Sequence, residues 1–422
     1  MDAATAWAEA MKFENRPNPY PYFEQLRKAP VAKVGEKTFV VTGYDELLAL
    51  AHDPRISSDI SRSPAGFGGE KPAPEPGAAQ LPAYGREASI IVSDPPDHDR
   101  ARRQMMRHFG PPHSPDLIPG MEPLVVRLAD DLLDTVKGRN FTRLDVVEDF
   151  AYPIPVAVIC KILGVPVEDE PMFHSWIFDF MMGTDLGPEG ATEEGRDLAE
   201  KGRASTAELL DYLGRLVKDY ARTPGEGLLS RLLHDDGPDG PMSVRETTSN
   251  AMLLLVAGHD STVNTITNCV LTLLRNPGAW DLVRRSPELI PRTIEEVQRL
   301  QSAVQFFPSR SATADIEIAG TLIPAGSAVH LVYAAANRDP RRFDNPDRFD
   351  PLRADNEHFG WGSGIHACMG GPLARLEVNL ALEALLRRVE SPKLVVDPPP
   401  YRHNQVFRGP RHLWIDFAAV TG

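Results

Sequence analysis

The chain of 422 residues carries a formal net charge of −14, which argues against a general affinity for nucleic acid. Its three cysteines lie far apart in the sequence and form no paired disulfide framework, as is typical of a reducing compartment. The first 14 residues are acidic and contain no long apolar run, so we predict no signal peptide, no membrane anchor and a cytoplasmic location.

The first elements are a short helix, a strand pair and a second helix. The pattern predicts a helix that begins at Tyr20, strands around Val31 to Val41 and a helix that begins at Tyr44. Residues 61–84 are rich in Pro, Gly and Ala, which is typical of a loop. Such a long loop is either a plain surface connection or a functional segment.

A helix with two polar faces follows a Pro-Pro pair that suits its first turn. His98 and Arg102 are four residues apart and share one face of this helix. A second face carries the basic stripe Arg100, Arg103 and Arg107. Taken alone, the basic stripe is typical of a solvated helix face.

Two further helical patterns cover residues 121–136 and 151–163. The next stretch, 171–182, is apolar and rich in methionine and aromatic side chains. Because methionine adapts to irregular gaps, this stretch predicts either core or a flexible pocket lid.

The longest helical pattern runs from Val244 to Arg275, and an Ala-Gly pair in its middle precedes His, Asp260, Ser261 and Thr262. The glycine lowers helix stability, and a hydroxyl or water can interrupt the helix there. Asp260 needs a partner or water to stay charged inside such a helix. An acid beside an alcohol can relay protons. The alternative interpretation is a kinked core helix with a locally satisfied Asp260.

Glu296 and Arg299 are three residues apart in a helical pattern that includes Ile294, Val297 and Leu300. Alone, such a Glu-x-x-Arg is usually a surface pair. An alternating run from Ile316 to Ile323 with an internal glycine then predicts a hairpin.

The stretch 361–377 places a lone cysteine, Cys368, among four glycines. Pro372 suits the first turn of a helix, and leucines follow at helical spacing. Cys368 is therefore expected just before a helix N-terminus, where free amides and the helix dipole stabilise a thiolate. A thiolate on a bent glycine loop can bind a metal with an open face, whereas the alternative is a small buried cysteine in a turn.

This stretch resembles the haem-ligating loop of the cytochrome P450 family, whose pattern is Phe-x-x-Gly-x-His/Arg-x-Cys-x-Gly. Gly364, His366, Cys368 and Gly370 match this pattern, and Trp361 stands at the Phe position. An indole N–H at that position could add a hydrogen bond that Phe cannot make, which would alter the redox potential but not the ligation. The long helix resembles the central helix of the family, with Ser261 where the family usually has Thr.

The resemblance implies one domain over residues 1–422. It also implies a mainly α fold with smaller β-sheets (α+β) and a long central helix over haem b. It assigns residues 63–85 to a substrate-covering loop and 171–200 to a mobile lid. Cys368 would be the axial ligand of the iron, and its thiolate favours O–O cleavage.

The resemblance also assigns roles to single residues. The residues expected to contact the cofactor are His98, Arg102, Ala257, Gly258, Arg310, Trp361, Gly362, His366 and Gly370. Proton delivery falls to Asp260, Ser261 and Thr262. The loop 361–370 around Cys368 is called the Cys368 loop. The residues expected to hold it are Glu296, Arg299 and Arg353. The expected substrate pocket consists of Leu253, Val256, Val304, Phe306, Phe307 and Val406.

The implied activity is that of a haem-thiolate monooxygenase. It would insert one oxygen atom from O2 into a lipophilic or natural-product-like molecule. Electrons would come from a ferredoxin and a ferredoxin reductase, with the basic stripe as the docking face, and the protein would be a monomer without membrane contact. Alternatives are a peroxide-driven peroxygenase, which usually lacks the acid–alcohol pair, and a non-catalytic haem protein. A zinc site would need a second Cys/His pair.

Overall fold

The computed structural model of the protein describes residues 1–59, 62, 89–139, 142–184, 190 and 192–422. The expected substrate-covering loop, 63–85, lies outside the described residues, as do residues 185–189 and 191 of the expected lid. Within the described ranges helices predominate and strands are short. The prediction of a mainly α fold with smaller sheets is therefore confirmed.

Helices are the main secondary structure of the described residues. In chain order they are α1 (Ala3–Ala10), α2 (Tyr20–Arg27), α3 (Tyr44–Ala51), α4 (Asp97–Phe109), α5 (Glu122–Gly138), α6 (Pro153–Leu163), α7 (Glu170–Gly183), α8 (Glu193–Arg222), α9 (Leu228–Leu233), α10 (Val244–Arg275), α11 (Ala279–Arg285), α12 (Ile290–Leu300), α13 (Tyr333–Ala336) and α14 (Gly371–Arg388).

The strands form small sheets. They are β1 (Val31–Gly35), β2 (Thr38–Val41), β3 (Ile56–Ser57), β4 (Arg143–Asp145), β5 (Phe307–Ala312), β6 (Ile316–Ile318), β7 (Thr321–Ile323), β8 (Ala328–Leu331), β9 (Val389–Glu390), β10 (Lys393–Leu394), β11 (Trp414–Asp416) and β12 (Ala419–Val420). The largest sheet has five strands in the order β1-β2-β8-β5-β3, and only its β2–β8 pair is parallel. The predicted hairpin is β6–β7.

The long helix α10 has the predicted bounds, Val244 to Arg275. A capping box closes its first turn, because Ser243 Oγ accepts from the Glu246 amide at 3.2 Å and the Glu246 carboxylate accepts from the Ser243 amide at 3.1 Å. Helices α6, α8, α12 and α14 pack around α10, most of its residues are buried, and its buried apolar residues belong to the largest apolar cluster. The interruption expected at its Ala-Gly pair is absent, since α10 is continuous over its described length.

Helices α7 and α8, which include most of the expected lid, cross at a close contact between two glycines. A Cβ on Gly202 would lie 2.9 Å from the Asp179 carbonyl oxygen and 3.0 Å from the Gly183 Cα. Real Cβ atoms are not found so close to backbone, so only glycine fits at this crossing. The described parts of α7 and α8 therefore pack as one unit.

In the part of the chain that the structure describes, no helix is long and apolar enough to cross a lipid bilayer.

Candidate active site

The Cys368 loop is shaped by glycines with positive φ. Gly362 and Gly364 have φ of 73° and 68°, which side chains rarely adopt. A Cβ on Gly364 would overlap the carbonyl oxygen of Ala51 at the end of α3. The Cys368 amide donates to the Trp361 carbonyl oxygen at 2.8 Å and closes the loop.

Cys368 lies directly before α14, which begins at Gly371, as the sequence predicts. Cys368 is exposed to solvent, yet burial among protein atoms raises the pKa of its thiol. Both properties fit a side chain that lines an internal cavity. The amides of Gly370 and Gly371 and the charges of Arg375 and Arg102 oppose the effect of burial by stabilising the thiolate. A bound metal cation would favour the thiolate further.

A cluster of basic side chains lies beside this loop and consists of His98, Arg102, Arg310 and His366. The rings of His98 and His366 are 4.5 Å apart between centroids. Arg102 Nη2 donates to the Ala367 carbonyl oxygen at 2.9 Å. Burial, together with the nearby Arg310, His98 and Arg102, lowers the pKa of His366 to about 2. The neutral ring of His366 hydrogen-bonds Ser58 Oγ at 2.7 Å.

Two buried polar atoms of this basic cluster have no hydrogen-bond partner among the described residues. His98 Nδ1 lies 2.9 Å from the Asp99 carboxylate and so carries a proton, which means that the unpartnered Nε2 donates only when both ring nitrogens are protonated. Arg310 is buried with its Nη1 unpaired, and burial lowers the pKa of its guanidinium. Buried polar groups in native proteins are almost always hydrogen-bonded. The unpaired N–H of Arg310 therefore fits an anionic group, and a propionate carboxylate of haem has the required chemistry.

One stripe of α10 faces an internal space. Between Thr247 and Leu273, nearly every residue is buried, and the exceptions are Leu253, Ala257, Gly258 and Ser261. Leu253, Ala257 and Ser261 are spaced by four residues, so they lie along one face of the helix. Ala257 is exposed although its helix runs through the core. This stripe is therefore the part of α10 that the described residues leave uncovered.

Gly258 serves a different purpose from the one expected. A Cβ at this position would lie 2.8 Å from the Ile159 side chain of α6. Its small size therefore accommodates the packing of α6, and the expectation that it admits the cofactor is not supported by this contact. Of the Ala-Gly pair, only Ala257 lies on the exposed stripe.

The hydrogen bonds of Asp260 and Ser261 lead in different directions. Ser261 Oγ donates to the Ala257 carbonyl oxygen at 2.9 Å, and Thr262 Oγ1 donates to that of Gly258 at 3.4 Å. These bonds to the preceding turn explain why the hydroxyls leave α10 unbroken. Asp260 is buried and forms an ion pair with Arg402 of the C-terminal segment.

Asp260 has a second partner on its own helix. Asn264 Nδ2 donates to Asp260 Oδ2 at 3.1 Å, while Arg402 contacts Oδ1. Both carboxylate oxygens are thus engaged, so the buried charge has the partners that it needs. The sequence analysis missed Arg402 and Asn264. Asn264 could have been found from its spacing of four residues.

The Glu296–Arg299 pair is buried, contrary to the surface pair that the spacing alone suggests. Arg299 Nε and Nη2 each donate to the Glu296 carboxylate at 2.8 Å, and both side chains are fully buried. Arg353 Nε reaches the same carboxylate at 3.1 Å. Arg299 also donates to the carbonyl oxygens of Asn337 and Pro346. The three predicted residues therefore lie together and hold the segment that leads to the Cys368 loop.

The indole of Trp361 makes a hydrogen bond that Phe could not make. Its Nε1–H donates to Glu295 Oε2 at 2.9 Å, on α12, and not to the sulfur of Cys368. Glu295 was not singled out from the sequence, because it is 66 residues from Trp361 and its charge gives no local signal.

The six expected pocket residues do not form one cluster. Leu253 and Val256 belong to the core around α10, whereas Phe307 packs with the five-stranded sheet. Phe306 and Val406 are buried in a core with α1, and the Phe306 ring lies 5.4 Å from that of Trp7. Val304 touches the second and third of these cores. Only Leu253 lies on the exposed stripe of α10.

The basic stripe of α4 is paired with acids of the segment before and at the start of α10. Arg103 Nη2 lies 2.7 Å from Asp239, and Arg107 Nε lies 3.1 Å from Asp235. Arg100 is paired with Glu246. These pairs neutralise the stripe, so its charge is much weaker than the sequence suggested.

Comparison with known proteins agrees with this geometry. The sequence profile of the family "Cytochrome P450" matches residues 204–414. The chain is 34% identical to the 6-deoxyerythronolide B hydroxylase of Saccharopolyspora erythraea, across 93% of this chain and 95% of that protein. It is also 34% identical to the cytochrome P450 monooxygenase PikC of Streptomyces venezuelae, across 94% of this chain and 90% of the relative. This chain belongs to the cytochrome P450 family. It is therefore an oxidoreductase, a monooxygenase whose haem iron is bound by a cysteine thiolate.

A solved structure gives the same answer for the fold. The crystal structure of CYP164A2 from Mycobacterium smegmatis has a TM-score of 0.85 to this chain at 34% identity. The match covers 98% of this chain and 100% of the other. The prediction of a P450 fold is confirmed. In the described residues no group of three or more His, Cys, Asp or Glu side chains could hold a metal ion.

Proposed function

We propose that the enzyme inserts one oxygen atom from O2 into a lipophilic, natural-product-like molecule, with Cys368 as the axial ligand of haem b. The observation that carries the residue assignment is the basic cluster beside the Cys368 loop, with its unpaired polar atoms on His98 and Arg310. When bound, the haem supplies the activation of O2 and the insertion of one of its oxygen atoms. The protein supplies the ligand, the orientation and the protons.

Four side chains would orient the cofactor through its propionates. Arg310 Nη1 is a buried donor without a described partner, and His98, Arg102 and His366 lie beside it. Arg binds a carboxylate through two parallel hydrogen bonds, which fixes direction as well as position. His366 Nε2 already hydrogen-bonds Ser58 Oγ, which fixes the orientation of the His366 ring.

Asp260 and Ser261 would deliver protons to the cavity along α10. Ser261 lies on the exposed stripe, where its Oγ can hold a proton-donating water. Asp260 lies off that stripe and is bound to Arg402 and Asn264. To pass a proton towards Ser261, the Asp260 carboxylate has to leave at least one of these partners. Arg402 is thus a candidate for controlling proton delivery.

The substrate would lie against the apolar part of the α10 stripe, at Leu253 and Ala257. One relative, by its name, hydroxylates 6-deoxyerythronolide B. A stripe of Leu and Ala provides no charged group for recognition, which favours a large apolar molecule over a small polar one. Titration with macrolactones and with fatty acids, followed by the absorption of the haem, would separate two such substrate classes.

Electrons would come from a ferredoxin and its reductase. The basic stripe of α4 is a weaker docking face than its sequence suggested, because Arg100, Arg103 and Arg107 are all paired with acids. We therefore expect charge reversal at Arg103 to alter ferredoxin-supported reduction only modestly. A steep loss of rate at low salt would restore the stripe as the docking face.

The experiment that tests the assignment is the absorption spectrum of the reduced, carbon monoxide-treated protein. Thiolate ligation by Cys368 gives the red-shifted Soret band that is typical of the family. Cys368→Ala should lose this band, whereas Cys160→Ala, a change at a buried cysteine, is the matched control and should keep it. Retention of the band in Cys368→Ala would refute the ligand assignment.

A further inference from the structure

Glu295 of α12 accepts hydrogen bonds from three side chains around the Cys368 loop, in the segment 358–361 and in α14. Its Oε1 accepts from Arg375 Nε at 2.7 Å, at the start of α14. Its Oε2 accepts from Trp361 Nε1 at 2.9 Å and from His358 Nε2 at 3.1 Å. Arg375 Nη2 reaches Oε2 as well, at 3.2 Å. A carboxylate with so many donors is held in one orientation.

The partners of Glu295 are themselves fixed. The Gly360 amide donates to His358 Nδ1 at 2.9 Å, so Nε2 carries the proton that points at Glu295. The Arg375 guanidinium lies over the Trp361 ring, 4.3 Å from its centroid. Trp361 is thus held at its indole N–H by Glu295 and on one ring face by Arg375.

These groups lie close to the sulfur of Cys368. The Trp361 carbonyl oxygen accepts from the Cys368 amide at 2.8 Å, and a Cβ on Gly371 would lie 3.8 Å from the Trp361 ring. Cβ atoms on the adjacent Gly370 and Gly371 would lie 3.9 Å from the Cys368 sulfur and 3.1 Å from Arg375 Nη1, which places the Arg375 guanidinium near the sulfur. Two groups that could withdraw electron density from the sulfur, an indole N–H and a cation, are therefore both engaged by Glu295.

We propose that Glu295 is a positioning residue that holds the Trp361 N–H away from the Cys368 sulfur and weakens the effect of the Arg375 charge on it. The proposal rests on Cys368 as the iron ligand. Hydrogen bonds to a ligand sulfur and nearby positive charge stabilise the reduced metal and raise its reduction potential. Glu295 accepts the N–H and neutralises the cation, so it keeps the sulfur electron-rich and the potential low.

The test is redox potentiometry of haem-loaded variants that show the thiolate-type carbonyl band. That band establishes the ligand first, so failure of the ligand assignment and failure of this proposal are distinguished. Glu295→Ala releases both groups. It should raise the ratio of reduced to oxidised haem at a fixed potential at least tenfold, which is 59 mV for a one-electron couple. A ratio within twofold of wild type would overturn the proposal.

Two variants separate the charge from the N–H. Glu295→Gln removes the charge but keeps an oxygen that can accept the indole N–H, so it should raise the potential less than Glu295→Ala. In a Trp361→Phe background, Glu295→Gln and Glu295→Ala should raise the reduction potential by the same amount, because no indole N–H remains to be released. A persistent difference in that background would contradict the role given to the indole.

Trp361→Phe alone is the decisive control, and it introduces the residue usual for the family. Since the indole N–H is bound to Glu295 and not to the sulfur, this change should leave the ratio of reduced to oxidised haem within twofold of wild type. A tenfold fall would show that the indole already donates to the sulfur, and would overturn the proposal even if Glu295→Ala failed to retain haem.

Discussion

The ion pair between Asp260 and Arg402 can be tested by replacing Arg402 with Met, which keeps an unbranched side chain but removes the guanidinium. The Asp260 and Arg402 side chains are only 4% and 13% exposed. The Asp260 carboxylate would then remain buried with the Asn264 amide, 3.1 Å away, as its described partner.

The structure sets the size of the expected effect. Removing one member of a buried ion pair costs roughly 3–5 kcal/mol, because the other charge is left uncompensated. The remaining hydrogen bond from Asn264 contributes only on the order of 1 kcal/mol. We therefore expect Arg402→Met to lower the free energy of unfolding by about 3–5 kcal/mol.

Urea unfolding of the haem-loaded protein, followed by circular dichroism, measures this loss. Asp260→Asn and the double variant complete a mutant cycle, in which the double variant should lose clearly less than the sum of the single losses. A loss below about 1 kcal/mol for Arg402→Met would refute the reasoning, since that is the range of exposed pairs. Additive losses would show that the two charges do not interact.

Three further expectations follow from the same structure. Asp260→Asn should lower NAD(P)H-driven turnover roughly 10²–10⁴-fold and peroxide-driven turnover less, because general acid catalysis contributes that order; equal losses would contradict proton delivery. Ser261→Ala should release hydrogen peroxide at the expense of product, whereas Ser261→Thr should not. Burial alone would raise the pKa of Glu295, but hydrogen bonds from His358, Arg375 and Trp361 lower it from 4.5 to about 2. The stability that Glu295 contributes is therefore present above pH 4.5 and lost as the pH falls towards 2, so wild type and Glu295→Gln should converge in thermal unfolding temperature over that window.

Local pattern predicted the elements, because helix periodicity and capping act over a few residues. The bounds of α10 and the position of Cys368 before α14 were correct for this reason. From the same local pattern Arg103 was interpreted as an unpaired charge, because its partner Asp239 lies 136 residues further along the chain. It also missed Arg402, which is 142 residues from Asp260. Periodicity carries no information about such pairs.

Gly258 and Phe306 show a second limit of prediction from the sequence. The sequence identifies a glycine in a helix as unusual, but it does not say which neighbour requires the missing Cβ. In the structure that neighbour is Ile159. The sequence likewise does not show which neighbours an apolar residue packs against. In the structure Phe306 packs against Trp7 of α1 and not along α10. Both assignments depended on what faces the residue, which only the three-dimensional packing determines.

The consecutive acids of α12 hold the Cys368 loop from two sides. Side chains of neighbouring residues on a helix point about 100° apart. Glu296 therefore reaches Arg299 and Arg353, in the segment before the loop, while Glu295 reaches Trp361 within it. Glu296 is fully buried, and Glu295 is partly exposed. Loss of Glu296 should consequently cost stability first, whereas loss of Glu295 should change the electronic properties of the sulfur in a protein that still folds.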